Sequence, residues 1–178
     1  MKKLFAILYI FIASTLFSFA QTTATAVKVV CKGKKTTSVN GTLYAKKASK
    51  VAIINGKDAL IMNGTAFTMK KGPLKAKTDA NKDMQYRTFH DVLENLLLDG
   101  NTDVSKYSDT KISKNGNTTT YTITPNAGNK KLMFTSFVLT VTGKELKSIR
   151  LNQQKGNYTE YLFSNYKTGV TIDDKVFK

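Results

Sequence analysis

The chain has 178 residues, with 28 Lys and Arg against 12 Asp and Glu, a formal charge of +16, 41% hydrophobic residues and one cysteine. A single cysteine excludes an internal disulfide framework, and the length fits about one domain whose core can stand without staples. Arginine is confined to Arg87 and Arg150, so the bidentate contacts that read phosphates and base edges are scarce and no nucleic-acid partner is expected.

Residues 1–20 carry Lys2 and Lys3, an apolar run from Leu4 to Phe17, and small residues at Ser18 and Ala20. That is the pattern of a secretory signal peptide cut before Gln21, and its apolar core is shorter than the ~20 residues of a spanning helix. The residue directly after the cut is Gln21 and not a cysteine that could take a lipid. The expectation is a 21–178 domain, soluble in the periplasm, whose charge falls to +14 when Lys2 and Lys3 leave. Its lysines are dispersed, as on a solvated surface, and suit transient contact with an anionic membrane.

Residues 25–32 alternate as a strand, with Cys31 read as a small buried hydrophobe. A second strand is expected over 36–45, with Asn40-Gly41 as a turn or a bulge. Short strands at 50–54, 59–62 and 65–70 form a meander through the Asn55-Gly56 and Asn63-Gly64 turns. The basic, non-periodic stretch 72–82 reads as a loop. Residues 83–99 are the one clear helix, where Tyr86, Phe89, Leu93, Leu96 and Leu97 recur at spacings of three and four. A hairpin follows over 104–124 about Asn115-Gly116, then a loop at 126–129.

The stretch 131–164 reads as three long strands. In the first, Met133, Phe137, Leu139 and Val141 point one way and Leu132, Phe134 and Val138 the other. Both faces are apolar, so each needs a cover, a packed element on one and a ligand or partner on the other. Residues 169–177 close the chain, with Val170, Ile172 and Val176 as edge contacts.

Catalytic constellations are missing from the sequence. His90 is the only histidine, read as core or solvated instead of a metal ligand. No nucleophile elbow, zinc-helix motif or phosphate-binding glycine loop occurs. Asp173 and Asp174 are adjacent in an expected strand, so their side chains diverge. The reading is a non-enzyme without cofactors.

One helix cannot cover both faces of so long a sheet, so the sheet either curls about a cavity or dimerises. The residues expected to line a cavity are Leu60, Met62, Phe67 and Met69 from the meander, with Phe89, Leu93, Leu96 and Leu97 from the helix. The last strands add Met133, Phe137, Leu139, Ile149, Leu151, Tyr161 and Phe163. Such a lining suits acyl chains, which gain about 0.8 kcal/mol per buried methylene.

The segments NGKDALIMN (55–63), YSDTKISKNGNTTTYTITP (107–125), GKELKSIRLNQQKGNYTEYLFSN (143–165) and GVTIDDKVF (169–177) resemble, in order and spacing, the LolA family of periplasmic lipoprotein carriers. The resemblance implies an α+β, predominantly antiparallel fold: a curved, unclosed half-barrel sheet with helical elements on its concave side, here one main helix. It implies an apolar cavity for lipoprotein acyl chains or another lipid. Its implied partners are an inner-membrane lipoprotein-releasing complex and an outer-membrane acceptor. The same fold without lipid transport would serve as an envelope protein–protein interaction module. Three features depart from the family: a strand in place of the opening helix, aliphatic residues where an aromatic is expected near Leu60 to Met62, and only Lys46 and Lys47 in place of the basic-proline segment. The family arginine that ties lid to sheet therefore has no counterpart assigned.

Overall fold

The computed structural model describes residues 21–47, 49–99, 109–125 and 133–178. The expected signal peptide, the start of the 104–124 hairpin and the 126–129 loop lie outside them. The strands are β1 (Thr22–Lys32), β2 (Lys35–Lys46), β3 (Lys50–Asn55), β4 (Asp58–Asn63), β5 (Ala66–Lys71) and β6 (Leu74–Asp79). After helix α1 (Met84–Glu94) come β7 (Thr110–Asn115), β8 (Thr118–Ile123), β9 (Ser136–Thr142), β10 (Glu145–Asn152) and β11 (Tyr158–Thr168). All belong to one sheet in the order β6-β5-β4-β3-β2-β1-β11-β10-β9-β8-β7, and neighbouring strands pair antiparallel.

Two meanders thus meet at β1 and β11, and the outer edges, β6 and β7, stay unpaired with each other. The chain leaves one edge through β6, runs through α1 and re-enters at the opposite edge through β7. The helix is therefore carried across one face of a curved sheet that never closes, the half-barrel expected from the sequence. Two irregularities accentuate the bend: β11 holds an extra residue opposite Thr23 to Thr25, and β10 an extra residue between Leu146 and Ser148. Such bulges increase local twist and bend the strand that carries them.

Alternation along the strands separates two cores. On the concave side, α1 buries Tyr86, Phe89, Val92 and Leu93 against Leu43, Ile53, Met62, Phe67, Phe137 and Ile149. On the convex side, Ala52 and Ile61 are buried with Ile172 and Phe177, and Val170 and Val176 pack against them. A one-turn 3-10 helix, Asp174–Phe177, seats this tail. Asp174 accepts from Lys46 Nζ at 2.8 Å and Lys50 Nζ at 3.1 Å. Part of the second apolar face is therefore covered by the chain's own terminus.

Several expectations are corrected. Residues 72–82 contain strand β6, which pairs with β5 from Lys71↔Leu74 to Ala66↔Asp79. Its lysines and lack of apolar alternation mark an exposed edge strand, where charge discourages further pairing. Residues 169–177 lie on the convex face and not at an edge, and Asp173 caps the final turn by accepting from Lys175 N at 2.9 Å. The helix keeps α geometry only through Glu94 and continues as a wider π turn over Asn95–Asp99. Strand β9 starts at Ser136, so alternation does not govern the residues before it: Phe134 joins Phe137 in the concave core while Met133 is 51% exposed. Cys31 is half-buried, its Sγ 3.6 Å from Gly33 O.

Asn40-Gly41 is neither turn nor bulge. Gly41 lies in continuous register with Ala26, and a Cβ there would fall 2.0 Å from Ile54 O and 2.8 Å from Asn55 Cα. Asn55 fills this gap, donating from Nδ2 to Ala26 O and Val39 O, each at 3.0 Å. Gly41→Ala is expected to cost roughly 3 kcal/mol by overpacking, read as a lower urea midpoint with unchanged slope.

Candidate functional site

The centre of the half-barrel is solid. Phe89 stacks on Phe137 with ring centroids 4.5 Å apart, Phe67 lies 5.9 Å from Phe89, and Tyr86 meets Phe134 edge-on at 6.3 Å. Twelve residues expected to line a cavity are buried in this core: Leu60, Met62, Phe67, Phe89, Leu93, Leu96, Phe137, Leu139, Ile149, Leu151, Tyr161 and Phe163, of which Leu60, Leu151, Tyr161 and Leu96 also border open space. Space remains at the two ends, where the sheet outruns the helix.

At one end, Leu60, Met69, Met133, Leu151 and Tyr161 share a cavity of about 430 Å³. At the other, Leu96 and Leu97 face Leu43, Ala45, Leu146 and Tyr166 around about 190 Å³. The larger cavity also takes in Phe134, Val30, Ala76 and a set of lysines that the sequence reading passed over. Strand alternation was the signal for the first of these lysines, since Lys28 shares a face with the buried Ala24 and Ala26 and stands opposite Tyr161.

Lys28 borders the cavity, with its side chain 11% exposed and Nζ 2.6 Å from Asp58 Oδ2. The other Asp58 oxygen accepts from Gly72 N at 2.9 Å. The Lys28 hydrogen bond holds the Asp58 carboxyl below its ordinary range, against a smaller opposing effect of burial and with help from the Gly72 amide. Burial pushes the Tyr161 phenol well above its usual range, and Asp58 adds to this. Tyr161 therefore lines the cavity as a neutral phenol. Tyr86 connects helix to cavity: its hydroxyl donates to Met133 Sδ at 3.8 Å, and burial, with Asp83 adding, pushes its pKa up to about 12.

The helix is tied to the sheet at two turns. Ser49 Oγ donates to Glu94 Oε1, and His90 Nε2 donates to Gly64 O at 3.0 Å. His90 is buried against Phe67, as a core histidine. It offers ligand atoms together with Asp91 and Glu94, yet those atoms are engaged: His90 Nδ1 lies 2.9 Å from Asp91 Oδ1, Asp91 pairs with Arg87 at 3.4 Å, and Glu94 holds Ser49. Lys46, one of the two lysines at the family's basic segment, is used on the convex face to hold the tail.

An unclosed antiparallel sheet folded over one helix, hollow where the helix ends, defines a half-barrel of the lipoprotein-carrier type. The family described as "Outer membrane lipoprotein carrier protein LolA" matches residues 14–178, and the chain belongs to it. No curated protein matches by sequence. Among solved structures, a LolA superfamily protein from Nitrosomonas europaea is 8% identical with a TM-score of 0.40, covering 91% of each chain. An uncharacterised conserved protein from Thermus thermophilus is 7% identical with a TM-score of 0.42, covering 90% of this chain and 85% of that one. LprF from Mycobacterium bovis is 12% identical with a TM-score of 0.37, covering 87% and 89%. No residue role is carried over from them. No helix among the described residues is long and apolar enough to cross a membrane.

Asp58→Asn leaves the Lys28 ammonium without its counter-charge. It is expected to lower stability at pH 7 by about 1–2 kcal/mol, discounted because the Asp58 side chain is 29% exposed. Because the folded carboxyl titrates below its unfolded value, the wild-type contribution is complete above the ordinary Asp range and is lost as pH falls through the folded value. The difference between the two proteins in urea melts should therefore shrink as pH falls below about 4.

Proposed function

We propose that the protein is a non-catalytic periplasmic carrier that holds an acyl chain of a lipoprotein, or of another lipid, in the cavity bounded by Leu60, Met69, Leu151 and Tyr161. The observation that supports this most directly is the apolar floor of a 430 Å³ space left open beside a solid core. That volume lies toward the lower end of the roughly 300–1,000 Å³ of small-molecule sites, a size for one chain more than several. Ten buried methylenes would contribute about 8 kcal/mol before the cost of ordering the chain, which corresponds to micromolar binding at best.

The lining suits carriage, since Lys28 is held by Asp58 and burial keeps the Tyr161 phenol neutral. The neutral phenol can donate to an ester or amide carbonyl at the root of an acyl chain. On this reading residues 1–20 direct export, residues 21–178 form one lipid-binding domain, and cargo passes from a releasing complex in the inner membrane to an acceptor in the outer membrane.

Ala76 borders the cavity from exposed edge strand β6, so Ala76→Trp fills the space without entering the core. It is expected to weaken binding of a fluorescent fatty acid by at least about tenfold, with the circular dichroism spectrum unchanged, on the scale of a few excluded methylenes. Phe137→Asp, by contrast, should unfold the protein, since it places an unpaired charge in the aromatic stack. Purified protein that carries no acyl species in native mass spectrometry and ignores the probe would remove the reading.

A further inference from the structure

We propose that the ligand is an amphiphile with an anionic headgroup, a single acyl chain ending in a phosphate or carboxylate, and that Lys32, Lys35 and Lys71 hold that headgroup at the mouth of the cavity. The proposal rests on the carrier reading and narrows it to a ligand class.

A second cavity of about 310 Å³ adjoins the first and shares Lys28, Val30, Lys32 and Lys71 with it. Its remaining border is Lys35, Thr37, Val39 and Asp58. Lysines border both spaces, but Leu60, Met69, Leu151 and Tyr161 floor only the first, and Lys28, Lys32 and Lys71 stand where the two meet. An acyl chain suits that floor and a charged head the shared lysines.

Strand alternation decides which lysines turn toward this space. Lys28 and Lys32 share the concave side of β1, and Lys71 follows Phe67 and Met69 on that side of β5. Lys70 turns the other way, donating from Nζ to Lys178 O at 3.0 Å. Lys75 stands opposite Lys70 in the register, and both border the first cavity but not the second. Lys35 stands directly opposite Lys32 across the β1–β2 hairpin.

The charges are unbalanced. Lys28, Lys32, Lys35 and Lys71 face a single carboxylate, Asp58, and Asp58 is taken by Lys28 and the Gly72 amide. Among the described residues, Lys32, Lys35 and Lys71 have no acidic partner within 4.0 Å. Like charges placed directly opposite on neighbouring strands destabilise a sheet, and Lys32 and Lys35 are such a pair. An anion seated between them and Lys71 turns that repulsion into charge-assisted hydrogen bonds. A neutral headgroup leaves it in place.

The test compares 1-palmitoyl lysophosphatidic acid with monopalmitoylglycerol, which share a chain and differ in the head, on the protein of residues 21–178 by calorimetry below their aggregation concentrations. The anionic lipid is expected to bind about tenfold tighter at 50 mM salt and only about twofold tighter at 500 mM, as screening shortens the reach of the lysines. In the triple variant Lys32→Gln, Lys35→Gln, Lys71→Gln the preference should fall to within about twofold at either salt. All three lysines are exposed, so the variant keeps the fold. Equal affinity of the wild type for both lipids overturns the proposal while leaving the carrier reading standing, as does a preference that survives in the triple variant. Inorganic phosphate binding as tightly as the lipid overturns it too, by showing an anion site that ignores the chain. If neither lipid binds, the carrier reading falls and takes this one with it.

Discussion

The contact between Phe89 and Phe137, rings stacked 4.5 Å apart, is where the helix meets the far half of the sheet. The rest of the structure depends on it. The edges β6 and β7 never pair, so no ladder of hydrogen bonds closes the barrel. Packing of α1 against both meanders holds the two halves in one curve. Each aromatic pair in the cluster adds about 0.5–1.5 kcal/mol beyond its burial, and Phe67, Tyr86 and Phe134 extend the stack to either side of the helix.

A plug of this kind determines where the protein can be hollow. Helix α1 is 11 residues long, whereas β1 and β11 have 11 each. A helix rises about 1.5 Å per residue and a strand about 3.3 Å, so even with the π turn over Asn95–Asp99 the helix is shorter than these strands. The sheet overhangs at both ends. On the overhang formed by the ends of β1 and β5 and the starts of β4, β6 and β11, apolar residues line a floor and lysines a mouth. The convex side follows a different logic, because the C-terminal tail fills it and Asp174 fastens that tail to Lys46 and Lys50. Lys46, one of the two lysines at the family's basic segment, thus serves the opposite face, and the helix is instead tied through Ser49 and His90.

Much of the fold was legible along the chain. Period-two patterning and Asn-Gly turns announce the meander, because Asn and Gly accept the positive φ of tight hairpin turns and Gly56 sits at 62°. The three-four spacing of Tyr86, Phe89, Leu93 and Leu96 announces the helix, and the order of segments points to the half-barrel. Strand β6 was illegible because an exposed edge strand has no buried face to impose alternation, and its lysines look like a loop. Gly41 misled for a related reason: its requirement comes from Asn55 and Ile54 on a neighbouring strand, and the Asn-Gly pair that reads locally as a turn lies in continuous strand register.

By itself, the sequence determined the class of fold, the excess of apolar side chains and the surplus of lysine, since all three follow from residue type and local period. Which apolar residues form a solid core and which border open space was decided only in three dimensions. Phe137 and Leu151 occupy the same face of paired strands and are indistinguishable by alternation. Phe137 stacks on the helix, whereas Leu151, in the same core, also borders the open space, and the distance a short helix can cover on a longer sheet is a property of the packed whole.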